Sequence, residues 1–280
     1  MEILHGREDL DEATTDGKTF DDLGLAEWVV STCRELGMRM PRHVHQRCIL
    51  PVLEGRHVLG INEPGSGKTA AFALPILHLL VEHPFGVFAL VVTPTRELAL
   101  QLAEQFRVLG STVHLHITVV VGGMNMLKHA KDLIARPHLV IATLGRIHVL
   151  LHENTDISPV FSRTKFLVLD EADRILDACF QEELKFIFQC LPENQQNLFF
   201  SATTTSNLQK LQELYQDKMY VYEAYEGFKT VESLKQQVIF IPKKVKDVYL
   251  MHILSKMEDM GIRSAIVFIS TCRYISTLYV

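Results

Sequence analysis

Three carboxylates within four residues, Asp170-Glu171-Ala172-Asp173, are the first group in the sequence that could do chemistry. They follow the apolar run Phe166–Leu169, which predicts a buried strand of a parallel sheet. Ligands of open α/β sheets bind at the carboxyl ends of such strands, where a metal ion and a reacting water could be held. A solvated acidic turn is the alternative, and a lone acidic match is usually of that kind. A second element of the same site is needed to decide between a metal-binding site and a solvated acidic turn.

The glycine-rich segment Gly65-Ser66-Gly67-Lys68-Thr69 supplies that element, between a predicted strand and a predicted helix. Its glycines allow consecutive backbone N–H groups to turn inward and hold phosphate oxygens. Lys68 is expected to meet the β and γ phosphates, and the Thr69 hydroxyl to bind magnesium. Asp170 is expected to hold the magnesium through water, and Glu171 to orient or deprotonate the attacking water. Lys68, Asp170 and Glu171 are therefore the candidate catalytic residues of a magnesium–nucleotide site.

The phosphate loop departs from its consensus at two positions. Asn62 stands where a glycine or an alanine is usual, and Pro64 removes one amide from the cradle. A glycine-rich turn without a ligand is the alternative, and the strand–loop–helix context disfavours it. We expect a phosphate-binding loop with altered geometry.

Composition limits the possible functions. The 280-residue chain is 48% apolar with a net charge of −5, so any RNA or DNA contact must be local and cannot depend on a broad positive field. Its apolar runs are too short to span a bilayer, and its beginning lacks the pattern of a secretory signal. Its five cysteines lack CxxC spacing, which indicates intracellular thiols and neither a disulfide framework nor a zinc site.

The elements that must position these residues follow a regular order. Short apolar runs alternate with helical patterns between residues 57 and 222, which predicts an α/β fold with a mostly parallel sheet and helices on both faces. The predicted strands are His57–Ile61, Phe88–Thr93, Ile117–Val121, Leu139–Thr143, Phe166–Leu169, Asn197–Ser201 and Met219–Tyr222. The predicted helices of this region include Thr69–Val81, Arg96–Leu109, Met124–Ile134, Phe180–Cys190 and Ser206–Tyr215.

The sequence divides into four parts. We predict a flexible acidic leader over residues 1–19, an ATP-binding domain over 20–222, a linker over 223–232 and a fragment of a further domain over 233–280. The fragment is predicted to contain a strand at Val238–Phe240, a helix at Val245–Met257 and a strand at Ser264–Phe268. About 45 residues are too few for an ordinary domain, so these strands are expected to be exposed and prone to aggregation.

Five short motifs occur in an order that one family shares: Pro94–Leu98, Gly122-Gly123, Thr143-Leu144-Gly145-Arg146, Asp170–Asp173 and Ser201-Ala202-Thr203. With the phosphate loop, they make the chain resemble the DEAD-box ATP-dependent RNA helicases from Phe20 to its end. The resemblance implies a RecA-like P-loop domain followed by an incomplete second RecA-like domain, in which Ile266–Cys272 resembles the first motif. The segment Ala103–Gly110 resembles the branch associated with ribosomal RNA processing.

The resemblance also implies roles for residues around the nucleotide. Phe20 stacks on adenine, and Gly65, Ser66, Gly67, Lys68, Thr69 and Asp170 bind the phosphates and magnesium. His45 stands where the family has a glutamine that reads the adenine edge, which predicts altered adenine selectivity because a histidine pairs in a different geometry. Asp173 couples to Ser201 and Thr203 and relays the nucleotide state to the RNA side.

A second set of residues is implied to contact the sugar-phosphate backbone of RNA: Arg96, Gly123, Thr143, Gly145 and Arg146. A few arginines and amide-rich turns agree with the weak net charge. Leu144 replaces the family's proline, so the turn that contains it is expected to be less rigid. Taken without the motifs, surface salt bridges are the alternative for Arg96 and Arg146.

The function implied is ATP-dependent remodelling of RNA, with ATP and magnesium as cofactors and RNA as the partner. The resemblance also implies ribosome-assembly proteins as partners and no membrane contact. It implies location in the nucleus, chiefly the nucleolus, with the cytoplasm as the alternative. Because the second domain is incomplete, we expect weak or no RNA-stimulated ATP hydrolysis and no unwinding by this chain alone. A non-catalytic module that binds RNA or a protein partner is the alternative. A P-loop kinase would not explain the other motifs.

Overall fold

The computed structural model of the chain describes residues 17–82, 86–154, 156–176, 181–224, 237–257, 259 and 261–269. The chain divides into two compact units, Met1–Gly227 and Phe228–Val280, and each is described by itself. Most of the predicted leader over 1–19 and of the predicted linker over 223–232 lies outside the described residues, as do Cys179 and Cys272.

The first unit is built on a seven-stranded sheet whose strand pairs are all parallel. The strand order is β3-β4-β2-β5-β6-β1-β7. The strands are β1 (His57–Ile61), β2 (Ala89–Thr93), β3 (Ile117–Val120), β4 (Leu139–Thr143), β5 (Phe166–Asp170), β6 (Gln196–Ser201) and β7 (Met219–Glu223). The predicted α/β fold with a mostly parallel sheet is confirmed.

The central strands are apolar on both faces because helices cover both faces. Along β2, Leu90 belongs to one buried apolar cluster and Val91 to the other, since successive side chains point to opposite sides. Every residue of β2 and of β5 is buried. The continuous apolar runs seen in the sequence are therefore the interior of a three-layer domain.

The helices divide between the two faces of the sheet. Buried residues on one face come from α1 (Glu27–Glu35), α2 (His43–Leu53), α3 (Lys68–Glu82) and α4 (Arg96–Leu109). Those on the other face come from α5 (Met126–Ile134), α6 (Leu144–Glu153), α7 (Ala172–Ile175), α8 (Gln181–Cys190) and α9 (Ser206–Tyr215). Short 3-10 helices occupy Phe20–Leu23, Ser158–Phe161 and Gln216–Lys218. Within the described part of the chain, no helix is both long enough and apolar enough to cross a membrane.

The prediction of a turn at Thr143–Arg146 is wrong. Thr143 ends β4, and α6 begins at Leu144 with no intervening loop residue. Leu144 is 4% exposed and packs on the same face of the sheet as Ile147 and Leu151, which follow it at helical spacing. The leucine that replaces the family's proline is thus a buried anchor of a helix.

The second unit contains one long helix among its described residues, α10 (Lys246–Ser255), preceded by a 3-10 turn at Lys243–Val245. This agrees with the predicted helix. The predicted strands Val238–Phe240 and Ser264–Phe268 are wrong, because neither segment is a strand in the structure. Their aromatic side chains are almost fully exposed, with Phe240 at 94% and Phe268 at 92%. An apolar run becomes a strand only where another strand pairs with it, and no described residue does so here.

Candidate functional site

The candidate functional residues meet at the carboxyl edge of the sheet because all strands run in one direction. Ile61 at the end of β1 pairs with Ser201 at the end of β6. Asp170 closes β5, which is the other neighbour of β6. Thr93 at the end of β2 pairs with Thr143 at the end of β4 along the same edge. The segments that follow β1, β5 and β6 form one half of the site, and those that follow β2 and β4 form the other.

The phosphate loop joins β1 to the first turn of α3. Gly65 and Gly67 adopt φ angles of +80° and +95°, a conformation in which side-chain-bearing residues are strained. The Lys68 ammonium donates hydrogen bonds to the carbonyl oxygens of Asn62 at 2.6 Å and Glu63 at 2.8 Å. The lysine is therefore held by its own loop through two of its three N–H donors, and the third can bond to a phosphate oxygen.

The loop also brings Lys68 within electrostatic reach of the acidic cluster. Burial lowers the pKa of Lys68, while the carboxylates of Asp170, Asp173 and Glu171 act in the opposite direction. Thr69 follows Lys68 in the first turn of α3. The N-terminus of that helix favours an anion because its backbone N–H groups have no partner inside the helix.

The acidic cluster contains one strongly perturbed carboxylate and one strained residue. Asp170 is 8% exposed, and burial, assisted by the charge of Glu171, raises its pKa to about 6. Glu171 has a φ of +54°, which costs a non-glycine residue ~1–3 kcal/mol. Arg174 Nη1 lies 3.1 Å from Glu171 Oε2, an ion-pair distance without the geometry of a hydrogen bond. Backbone strain of this kind is common at active sites, so it agrees with the catalytic role predicted for Glu171.

Magnesium fits the donor set at this edge. The Thr69 hydroxyl and the Asp170 carboxylate are oxygen donors, and magnesium is usually held by one or two carboxylates together with substrate phosphates and water. Among the described residues, no group of three or more His, Cys, Asp or Glu could hold a metal by itself. The raised pKa of Asp170 reflects a buried carboxylate that a divalent cation would stabilise. The site therefore fits a magnesium ion that arrives with a nucleotide.

Asp173, Ser201 and Thr203 form one hydrogen-bonded group. Thr203 Oγ1 donates to Asp173 Oδ2 at 2.6 Å. Ser201 Oγ donates to the Thr203 carbonyl at 2.8 Å and accepts from the Thr203 backbone N–H at 3.2 Å. The group links the end of β5 to the segment that follows β6. The relay of nucleotide state that the resemblance implies stays a prediction.

Phe20 and His45 lie together beside the phosphate loop, and both are buried. Their ring centroids are 5.7 Å apart, and each side chain is 2% exposed. His45 Nδ1 accepts from the backbone N–H of Arg42 at 3.1 Å, and Nε2 lies 3.0 Å from the carbonyl oxygen of Gly67. Phe20 is part of the apolar core of its face. The adenine contacts expected of both residues stay predictions.

Four of the five residues implied to contact RNA line a cavity of about 670 Å³ on the half of the site that follows β2 and β4: Arg96, Thr143, Gly145 and Arg146. The fifth, Gly123, is next to the lining residue Gly122 but does not itself line the cavity. The complete lining is Pro94, Thr95, Arg96, Glu97, Gly122, Thr143, Gly145, Arg146 and Val149. A second cavity of about 690 Å³ lies at the opposite edge of the sheet, around His57 and Asn197, and contains none of the candidate residues.

Glycine at positions 122 and 123 lets the Arg96 guanidinium lie against the backbone. A Cβ atom on Gly123 would be 2.6 Å from Arg96 Nη1, and one on Gly122 would be 3.4 Å from Nη2. Gly123 also adopts a φ of +82°. Arg96 starts α4, where the Thr95 hydroxyl accepts from the Leu98 backbone N–H at 3.3 Å. The predicted contact residues Arg96 and Gly123 are therefore in direct contact with each other.

Arg146 is positioned by two partners that no sequence motif indicated. Its Nε donates to Nδ1 of His129 at 3.4 Å, and its Nη2 donates to the Met124 carbonyl. His129 is 1% exposed, and its Nε2 has no hydrogen-bond partner. Burial and the charge of Arg146 lower the pKa of His129, so the neutral ring is available as an acceptor. Spacing between residues 129 and 146 carries no local signal, so only the folded structure identifies this pair.

The family model and the relatives that match this chain agree on one family. The DEAD/DEAH box helicase family model matches residues 42–211. Relatives include DEAD-box ATP-dependent RNA helicase 36 of Arabidopsis thaliana, 64% identical over 93% of this chain and 53% of the relative. Human "Probable ATP-dependent RNA helicase DDX49" is 46% identical over 91% of this chain and 53% of the relative. The chain spans about half the length of the curated relatives it matches.

Solved structures share the fold. A DEAD box protein from the hyperthermophile Methanococcus jannaschii matches 93% of this chain and 68% of its own, with 26% identity and a TM-score of 0.67. Dbp5 of S. cerevisiae, determined with RNA and ADP BeF3, matches 94% of this chain and 66% of its own, with 23% identity and a TM-score of 0.76. The second likeness concerns the fold alone.

Proposed function

Because this chain belongs to the DEAD/DEAH box helicase family, we propose that its first unit binds magnesium-ATP and RNA as the ATP-binding domain of an RNA helicase. One observation carries the proposal. Lys68, Asp170 and the Asp173–Thr203 hydrogen bond share one edge of the sheet with the cavity around Arg96 and Arg146. Nucleotide and RNA elements adjoin there, as coupling between two ligands requires.

The nucleotide half works by electrostatics and position. Gly65, Ser66 and Gly67 offer backbone N–H groups to the phosphates, and the Lys68 ammonium, bonded to two carbonyl oxygens of the loop, donates to a phosphate oxygen. Thr69 and Asp170 would hold magnesium, which would supply charge stabilisation on the phosphates and favour the ionised form of Asp170. Glu171 would orient or deprotonate the attacking water.

The RNA half works without reading bases. Arg96 and Arg146 supply charge, Thr143 and Gly145 line the cavity, and a Cβ on Gly145 would face open space. Gly123 contributes by leaving room for the Arg96 guanidinium. Recognition of sugar and phosphate suits a chain whose net charge is −5, because only a few cations are needed. Asp173, Ser201 and Thr203 hydrogen-bond to one another at the same edge of the sheet, and this group is the proposed coupling element between nucleotide and RNA.

Within this proposal, the 280-residue chain hydrolyses ATP weakly or not at all. Pro64 offers no amide to the phosphates, and two of the three Lys68 N–H donors are already bonded to carbonyl oxygens of the loop. The same observations favour a second candidate function, a non-catalytic module that binds RNA or a protein partner. Unwinding is not carried over, because the chain spans about half the length of relatives named as helicases.

The cellular setting is part of the proposal. The segment Ala103–Gly110 resembles the ribosomal RNA processing branch, which supports action in the nucleus and nucleolus with ribosome-assembly proteins as partners. Residues 103–109 of this segment lie in α4, the helix that begins at Arg96.

Fluorescence anisotropy with a short unstructured RNA tests the RNA half. We expect Arg96→Ala and Arg146→Ala each to weaken binding about equally for different sequences and to reduce the salt slope by about one. Arg107→Ala is the matched control, since Arg107 also lies on α4 but is exposed and pairs with Glu104. Unchanged affinity and salt slope in both cavity variants would refute RNA binding at this cavity.

A further inference from the structure

The residues that are expected to contact the nucleotide base are all buried inside the protein. Phe20 is 2% exposed and packs in the apolar core. His45 is also 2% exposed, and Gln46, its neighbour on α2, is 8% exposed. A base edge can be read only by groups that it can reach and that have free hydrogen-bonding capacity.

Both hydrogen-bonding nitrogens of the His45 ring already have partners. Its Nδ1 accepts from the Arg42 backbone N–H at 3.1 Å, so the neutral ring carries its proton on Nε2. Nε2 lies 3.0 Å from the Gly67 carbonyl and donates to it. Burial, assisted by the charge of Arg42, lowers the pKa of His45 to about 4, so the ring is neutral at physiological pH. A neutral imidazole has one donor and one acceptor, and both are used.

Gln46 does not replace it. Its Nε2 donates to the Pro41 carbonyl at 2.9 Å, and the side chain is buried. Adjacent residues on a helix point about 100° apart, so Gln46 does not face the phosphate loop as His45 does.

The contacts of His45 serve the phosphate loop. A Cβ atom on Gly67 would lie 2.6 Å from His45 Nε2, so the ring rests directly on the loop backbone. The Gly67 carbonyl also accepts from the Ala71 N–H at 3.3 Å, in the first turn of α3. His45 thus ties the start of α2 to the junction between the loop and α3, and it does so whatever base is attached to the phosphates.

We propose that this site, if it binds nucleotide as argued above, binds nucleoside triphosphates through the phosphates without selecting adenine, and that His45 positions the phosphate loop. In the corner formed by Phe20, His45 and Gln46, both ring nitrogens of His45 are bonded, Gln46 is buried and bonded to Pro41, and Phe20 has no polar side-chain atom. A glutamine amide has two N–H bonds and two lone pairs, so it could keep the Gly67 contact and still pair with N6 and N7 of adenine. Such bidentate pairing discriminates between bases by ~5- to 150-fold.

Calorimetric titration of the full chain with magnesium-ATP, magnesium-GTP and inorganic tripolyphosphate tests this inference. We expect ATP and GTP to bind within about threefold of each other, because the contacts are those of the phosphates. His45→Gln is expected to raise the preference for ATP about fivefold or more. His45→Ala weakens all three ligands by a similar factor, as loss of a positioning contact requires. His114→Gln is the matched control, because His114 is exposed and lies outside this corner.

The outcomes separate this inference from the proposed function. A preference of the unsubstituted chain for ATP of more than about tenfold, with tripolyphosphate still bound, overturns the inference and leaves nucleotide binding standing. Equal affinities that stay equal in His45→Gln overturn the assignment of base selectivity to position 45. Failure of all three ligands to bind overturns the proposed nucleotide site itself. Should His45→Gln not fold, as judged by circular dichroism, the ratio in the unsubstituted chain decides.

Discussion

Asp170→Asn is expected to stabilise the first unit at neutral pH in the absence of nucleotide. Asp170 is 8% exposed, and burial raises its pKa to about 6. An ionised carboxylate therefore destabilises the folded state, whereas a neutral amide of the same shape does not. The proposed magnesium ligand is thus held at a cost in stability, as functional groups often are.

The expected size follows from the pKa. Raising the Asp170 pKa from its ordinary 3.8 to about 6 corresponds to about 3 kcal/mol at 1.36 kcal/mol per pKa unit. For a unit of this size, each kcal/mol moves Tm by ~2–4 °C, so Asp170→Asn should raise Tm by ~6–12 °C. The change depends on pH with a definite sign. Because the folded pKa is raised, the contribution of Asp170 is fully present below pH 3.8 and is lost as pH rises to about 6.

Differential scanning calorimetry of the two proteins between pH 4 and 8 measures this. The Tm difference should be near zero at the acid end and constant above the Asp170 pKa of about 6. Asp156→Asn is the control, because Asp156 is exposed and should show no such difference. Addition of magnesium-ATP should raise Tm of the unsubstituted chain more than that of Asp170→Asn. A variant that is equally stable or less stable at pH 7 without nucleotide would refute the reasoning.

Three further substitutions test contacts around the site. Gly123→Ala should weaken RNA binding about tenfold. Alanine is strained at the Gly123 φ of +82°, and its Cβ would lie 2.6 Å from Arg96 Nη1 and displace the arginine. Fluorescence anisotropy measures this, and unchanged RNA affinity would contradict it. Thr203→Val should cost ~1 kcal/mol by chemical denaturation through loss of the bond to Asp173, and an unchanged midpoint would contradict it. His129→Leu should weaken RNA binding about fivefold, because it removes the hydrogen-bond acceptor of Arg146. The stability of the fold should stay the same, because an unpaired buried nitrogen is removed with it. RNA affinity equal to that of the unsubstituted chain would contradict this.

The sequence predicted most of the first unit because its signals are local. The bounds of β1, β4, α4 and α9 are those predicted, since each element carries its full apolar pattern within its own residues. The missed helix α6 begins directly at the end of β4, so no loop residue separates the strand pattern from the helical one, and Gly145 in its first turn weakens the helical signal. The segments Val238–Phe240 and Ser264–Phe268 have the composition of strands, but strand formation depends on pairing that composition does not encode.

The motifs predict the candidate site residues, but they do not predict the side chains that hydrogen-bond or ion-pair with them. Motif order predicts Lys68 and Asp170 as site residues, but the raised pKa of Asp170 depends on how deeply β5 is buried. The bond between His45 and the Gly67 carbonyl joins residues whose proximity arises only when α2 packs beside the loop. Arg174 beside Glu171 and His129 beside Arg146 are of the same kind, because their roles come from contacts and not from motifs.

Equilibrium dialysis with magnesium-ATP, comparing the unsubstituted chain with Lys68→Ala, tests most directly whether the carboxyl edge of the sheet is the nucleotide site. Lys185→Ala is the control, because Lys185 is an exposed lysine on α8. A hydrogen bond from a charged group contributes ~1.5–3 kcal/mol, so Lys68→Ala should weaken binding about ten- to hundredfold while Lys185→Ala leaves it unchanged. Equal binding by all three proteins, or no binding by any, would contradict the account.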